Sequence, residues 1–252
     1  MHYTHFHSYP PNLRNRADET LGFVYKYLHA LDSYKNGFLM AFVEIFDAIE
    51  DASELVDRQN KPSDNAREFA LEKINERYRF YSLKISKKQI NELSEFFRLK
   101  EIIRKKKEAE RLSAGELAKF LNIWLPLSAI DYDFCFNLAA PKSIGDRQTR
   151  ELLLEYLHNM ALLEKLTLSI NNHDIDAKKG NFNFINLAKE FKFRPKFFED
   201  YAKRCLKAAQ KSLLQLTDFK TTEGRSLTVE YIKGAESVGK ALKYLKEEIL
   251  IE

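Results

Sequence analysis

The sequence predicts an all-α fold: a multi-helix bundle of about nine helices and no sheet. Three observations lead there. Apolar residues recur at three- and four-residue steps along most of the chain. No alternating strand pattern runs for more than a few residues. Only 8 Gly and 6 Pro in 252 residues leave little turn chemistry, so the elements should be few and long.

Each helix has its own signal. Residues 1–15 carry Pro10 and Pro11 and read as a flexible or docking arm, in which His2, His5 and His7 cluster. Leu21, Val24, Tyr25, Leu28 and Leu31 then mark a first amphipathic helix. The second, FLMAFVEIFDAIEDASELVDR, spans Phe38 to Arg58. On a helical wheel its apolar residues lie almost opposite Glu44, Asp47, Asp51 and Glu54, so these acids form a wetted back. Pro62-Ser63-Asp64 breaks and restarts the chain before a helix carrying Phe69, Ile74, Tyr78 and Tyr81. Ser86 with Gln89 reads as a capping box for a helix through INELSEFFRLKEIIRKKKEAERL. Ser113 with Glu116 reads as another, opening LAKFLNIWL, with a break at Pro126.

DYDFCFNLAAPKSIG looks like a helix end and loop. RQTRELLLEYLHNMALLEKLTLSI follows as a long helix, and NNHDIDAKKGNFN as the loop that ends it. A short helix leads to a break at Arg194-Pro195. KFFEDYAKRCLKAAQKSLLQL and LTVEYIKGAESVGKALKYLKEEIL supply the last two helices, separated by TDFKTTEGRS. Residues 16–252 are expected to form one helical domain, with a weak sub-boundary at 141–145, a loop too short for a linker.

Composition narrows the function classes. With 31% charged and 44% hydrophobic residues the chain is a globular one, not a disordered one. The net charge of +4 is too small over this length to imply nucleic acid by itself. Cys135 and Cys205 stand alone, which gives neither a disulfide framework nor zinc spacing. There is no signal-peptide h-region and no apolar run long enough to span a bilayer, so a cytoplasmic protein with no membrane partner is expected.

The acidic helix carries one resemblance. AFVEIFDAIEDASE is similar to the first aspartate-rich motif of the squalene and phytoene synthases, all-α enzymes that hold magnesium against a diphosphate. Glu50, Asp51 and Glu54 match it. The second motif does not follow: Asn171, Asp174 and Asp176 stand at the wrong spacing, and the arginine before the first motif is missing.

Other pairs suggest metal or hydrolytic chemistry. Glu155 and His158 form a Glu-x-x-His step that places both on one helical face, as in di-iron bundles, but no second copy exists. Arg150 and His158 are too widely spaced for the Arg/His motif of HEPN ribonucleases. His173-Asp174 has the adjacent order used by HD phosphohydrolases, without their upstream His at a suitable distance. As a calcium loop the same segment fails, with Lys179 at the glycine position. Glu155, His158, His173 and Asp174 are thus the candidates for a metal-dependent enzyme, and no cofactor motif is present.

Two basic clusters remain: Arg104, Lys105, Lys106 and Lys107 on one helix, and Lys203, Arg204, Lys207 and Lys211 on another. Such stripes can neutralise phosphates, so nucleic acid is a candidate partner. With 19 Phe and 12 Tyr, some aromatics are expected at an interface. The leading expectation is a non-catalytic helical protein acting through a protein partner or self-association.

Overall fold

The computed structural model describes residues 71–72, 74–76, 79, 87–108, 111–130, 132–133, 147–216 and 226–250. The acidic helix at 38–58, the N-terminal arm, Cys135 and the 141–145 boundary lie outside the described residues. The described part is all-α. Its helices are α1 (Lys87–Glu108), α2 (Ala114–Leu127), α3 (Arg147–Asn171), α4 (His173–Lys179), α5 (Phe184–Glu190), α6 (Lys196–Leu213) and α7 (Leu227–Tyr244). A π-helical turn, Leu245–Ile249, continues α7. No strand or sheet occurs among the described residues.

Local chemistry sets the ends. The Ser113 hydroxyl accepts from the Glu116 N–H at 3.3 Å, and the Glu116 carboxylate accepts from the Ser113 N–H at 3.0 Å. This is the expected capping box, and it satisfies two amides that α2 would otherwise leave open. The hydrogen bond from Lys106, then those from the Ser113 amide and hydroxyl, hold the Glu116 carboxyl down at about 2. Pro126 does not break α2 where it stands. The helix runs one residue further, to Leu127, because a proline in the last turn forfeits only one backbone bond.

The segment after α3 departs from expectation. NNHDIDAKKGNFN is not a plain loop, because His173–Lys179 forms α4. Gly180 closes it at φ 69°, the left-handed geometry that stops a helix. Asn183 then caps α5, its side-chain oxygen accepting from the Ile185 N–H at 2.9 Å.

Helix α3 is the centre of the packing. It lies most extensively against α6, then against α7, and α6 and α7 also meet. Tyr156 on α3 donates to the Leu227 carbonyl at the start of α7, 3.0 Å away. Tyr231 on α7 donates to the Leu206 carbonyl of α6 at 3.3 Å. A side chain at Gly234 would stand 2.3 Å from the Met160 methyl, so α3 and α7 approach too closely there for anything but glycine without Met160 moving. Helices α1 and α2 pair with each other, and Trp124 and Phe120 of α2 join them to Phe182. Among the described helices none is long and apolar enough to cross a membrane.

One stripe of α6 is buried: Phe198, Tyr201, Ala202, Cys205, Ala209 and Leu213, at three- and four-residue steps. Burial first of all pushes the Cys205 thiol up to about 11, which disfavours the reactive thiolate. The opposite face of α6 is left to solvent.

Candidate functional site

His158 sits on α3 with its Nδ1 at 2.9 and 2.8 Å from the two carboxylate oxygens of Asp133. Asp133 lies a few residues beyond the end of α2, so the pair ties that segment to α3. Burial works against the imidazolium. The hydrogen bond and charge of Asp133, with Glu92 of α1 and Glu155 behind it, outweigh burial and raise the His158 pKa above 6.5. Glu155 is exposed on the turn before. Its contribution is a field at the ring; the partner in hydrogen-bond contact is Asp133.

The sign of this pair is testable. A raised folded pKa means the pair stabilises fully below about 6.5 and loses that contribution as pH rises through the folded value. The stability gap between wild type and His158→Gln should therefore narrow from roughly pH 6 to pH 9. Thermal melts across that range measure it, and a constant gap would mean that folding does not shift the His158 pKa.

His173 is a different kind of residue. It is buried, and its Nδ1 donates to the Ile170 carbonyl at 2.9 Å. Its Nε2 lies 3.3 Å from Asp174, and Tyr244 packs its edge against the ring. Asn186 donates to the His173 carbonyl at 2.8 Å. The hydrogen bonds of His173, not its contact with Asp174, thus tie α4 to α3 and α5. From His158 to the end of α3 is about 20 Å of helix, so the two sequence candidates are not brought together. Among the described residues no group of three or more His, Cys, Asp or Glu side chains is placed to hold a metal.

The two basic clusters separate in the same way. On α1, Lys105 is exposed, but Lys106 pairs with Glu116 at 2.5 Å and Lys107 with Glu190 of α5 at 2.8 Å. The Arg104 side chain lies outside the described part. On α6, Lys203, Arg204, Lys207 and Lys211 are all exposed. Arg204 lies over the Tyr201 ring at 5.9 Å, and none of the four has a carboxylate partner among the described residues. The reason is in the sequence: YAKRCLKAAQKSL, from Tyr201 to Leu213, contains no acid. The acids of α6 stand at its start, where Asp200 pairs with Lys196 at 3.0 Å. Some cations elsewhere are answered by neighbours, as Lys88 is by Glu92, Arg98 by Glu95, Arg147 by Glu151 and Lys243 by Glu247; what sets α6 apart is four cations on one face.

Asp133 is the functional candidate that sequence reasoning missed. Its only signal is DYD in a segment without periodicity, and its partner stands 25 residues away. The acid-free run on α6 was legible as a count. No protein-family model, no curated protein and no solved structure matches this chain.

Proposed function

We propose that the chain is a contact protein and that the outer face of α6 is the surface through which it meets an anionic partner. One observation carries this: past Asp200, the exposed residues of α6 are Lys203, Arg204, Lys207, Gln210 and Lys211, four cations and an amide. Four like charges on one face, with the acids of the helix confined to Glu199 and Asp200 at its start, repel one another. A polyanion relieves that repulsion. Of these side chains only Arg204 touches the buried stripe, over the Tyr201 ring, so the three lysines are free to be used without loss of packing.

Retention on immobilised heparin, a generic polyanion, tests this. K203E/K207E should elute at clearly lower salt than wild type. A charge-matched control, K119E/K178E, alters exposed lysines of α2 and α4 and should elute much nearer to wild type. Equal shifts for the two double variants would mean that net charge alone, not the α6 face, governs retention.

A further inference from the structure

We infer that the partner of the α6 face is a nucleic-acid duplex, gripped by its phosphates without reading of the bases. This rests on the α6 reading above and narrows it to one class of partner.

The chemistry of the face makes the choice. An acidic protein surface would be met by a patch with an apolar or aromatic centre, because interface cores are depleted in lysine and enriched in aromatics. Between Lys203 and Lys211 the exposed side chains of α6 are all polar; Leu206 and Ala208 are half-buried at its edges, and Leu214, past the end of the row, is one exposed leucine and not an apolar patch. A membrane surface would call for an apolar flank on the same helix, sunk below the headgroups. The apolar flank of α6 is buried against α3 instead. A single strand would be held by aromatic platforms on which bases stack. Here Tyr201 is buried beneath Arg204, while Phe197 is packed edge-on between Phe193 and Phe198. What remains is a row of cations with one amide, the side chains that contact phosphate oxygens.

The dimensions agree. Lys203, Lys207 and Lys211 stand at four-residue steps, about 6 Å of axial rise each, so the row is about 12 Å long. That is about the width of the major groove of a B-form duplex. A duplex carries one phosphate per roughly 1.7 Å of axis, so a row of this length faces more anions than it has cations. Each cation engaged releases bound counterions, and the logarithm of affinity falls with the logarithm of salt by about 0.9 per phosphate neutralised.

Fluorescence anisotropy with labelled duplexes of two unrelated sequences is the test. Wild type should bind both equally. Replacing all four cations, K203Q/R204Q/K207Q/K211Q, should lower the salt slope by about 3.6, which is about 100-fold in affinity between roughly 50 and 200 mM salt. K203E/K207E, which changes the charge of the face by the same amount with two substitutions, should weaken binding at least tenfold, with circular dichroism confirming the fold of both variants. Three results overturn the inference: no duplex binding at low salt, a slope that the variants leave unchanged, or tighter binding to a single strand of the same sequence. Polyglutamate and vesicles rich in anionic lipid serve as rival probes. If either binds in an α6-dependent manner while the duplex does not, the duplex is excluded and the cationic-face reading stands. If heparin retention is itself independent of α6, both fall.

Discussion

Truncating Trp124 to alanine is expected to destabilise the fold by about 3–5 kcal/mol, the range for removing a buried large aromatic. Trp124 lies among Phe96, Phe120, Phe182 and Phe184, with ring centroids 5.9, 6.1, 5.2 and 5.4 Å away. Those rings come from α1, α2 and the entry to α5, so one side chain joins elements distant in sequence. Lys100 closes the cluster: it is 6% exposed, with its ammonium 5.3 Å from the centre of Phe96 and 5.5 Å from that of Phe182. Removing the indole would leave a cavity beside a buried cation, which the neighbours cannot fill by small shifts. The indole N–H itself finds no hydrogen-bond partner among the described residues. Trp124→Phe should therefore cost much less than Trp124→Ala, since only volume is lost. Chemical denaturation followed by circular dichroism separates the two, and equal costs would mean that ring contact is not what stabilises this junction.

The second large effect is expected at Asn183, which is 5% exposed and uses both ends of its amide. Its oxygen caps α5. Its nitrogen donates to the Ser169 carbonyl of α3 at 2.9 Å and to the Asp176 carboxylate of α4 at 2.8 Å. Loss of a cap costs about 1 kcal/mol. Each buried acceptor left without its donor adds about 1–3 kcal/mol. Asn183→Ala should therefore lose about 2–4 kcal/mol, less than the plain sum, because Asp176 is only half-buried and can turn to water. Asn183→Asp keeps the capping oxygen and abolishes both donations, and it sets a carboxylate against Asp176. It should be no better than alanine near neutral pH. If the Asp variant regains most of the wild-type denaturation midpoint, the cap is the whole of the role.

These two residues show why parts of the molecule were legible and others were not. The core stripe of α3 and the Ser113–Glu116 box are local: spacing and residue type state them directly. Asn183 and its neighbours sent two messages. Asn, Asp and Gly suit an irregular turn, and they equally suit caps at both ends of a one- or two-turn helix. The order Asn172, Asp174, Asp176, Gly180, Asn183 fits either. Here a buried His173, which a loop would have left in water, decides for helix. The partnership of Asp133 with His158 is tertiary and leaves no trace in either local sequence. The α6 face was the reverse case. Its cations were visible from the start, as were those of Arg104 to Lys107. Only placement separates them, because Glu116 and Glu190 reach the α1 cluster from other elements and no acid among the described residues reaches Lys203, Arg204, Lys207 or Lys211.

Trp124 is the only tryptophan in the chain. Excited beyond the tyrosine absorption band, it is the protein's single intrinsic emitter, seated where α1, α2 and the start of α5 meet. Emission will follow the opening of that junction alone. Far-ultraviolet dichroism will follow every helix, with α3, α6 and α7 contributing heavily. Coincidence of the two signals in one denaturation would mean that the chain melts as one cooperative body. An emission change that precedes the loss of helix would mean that α1 and α2 detach while α3, α6 and α7 still hold together.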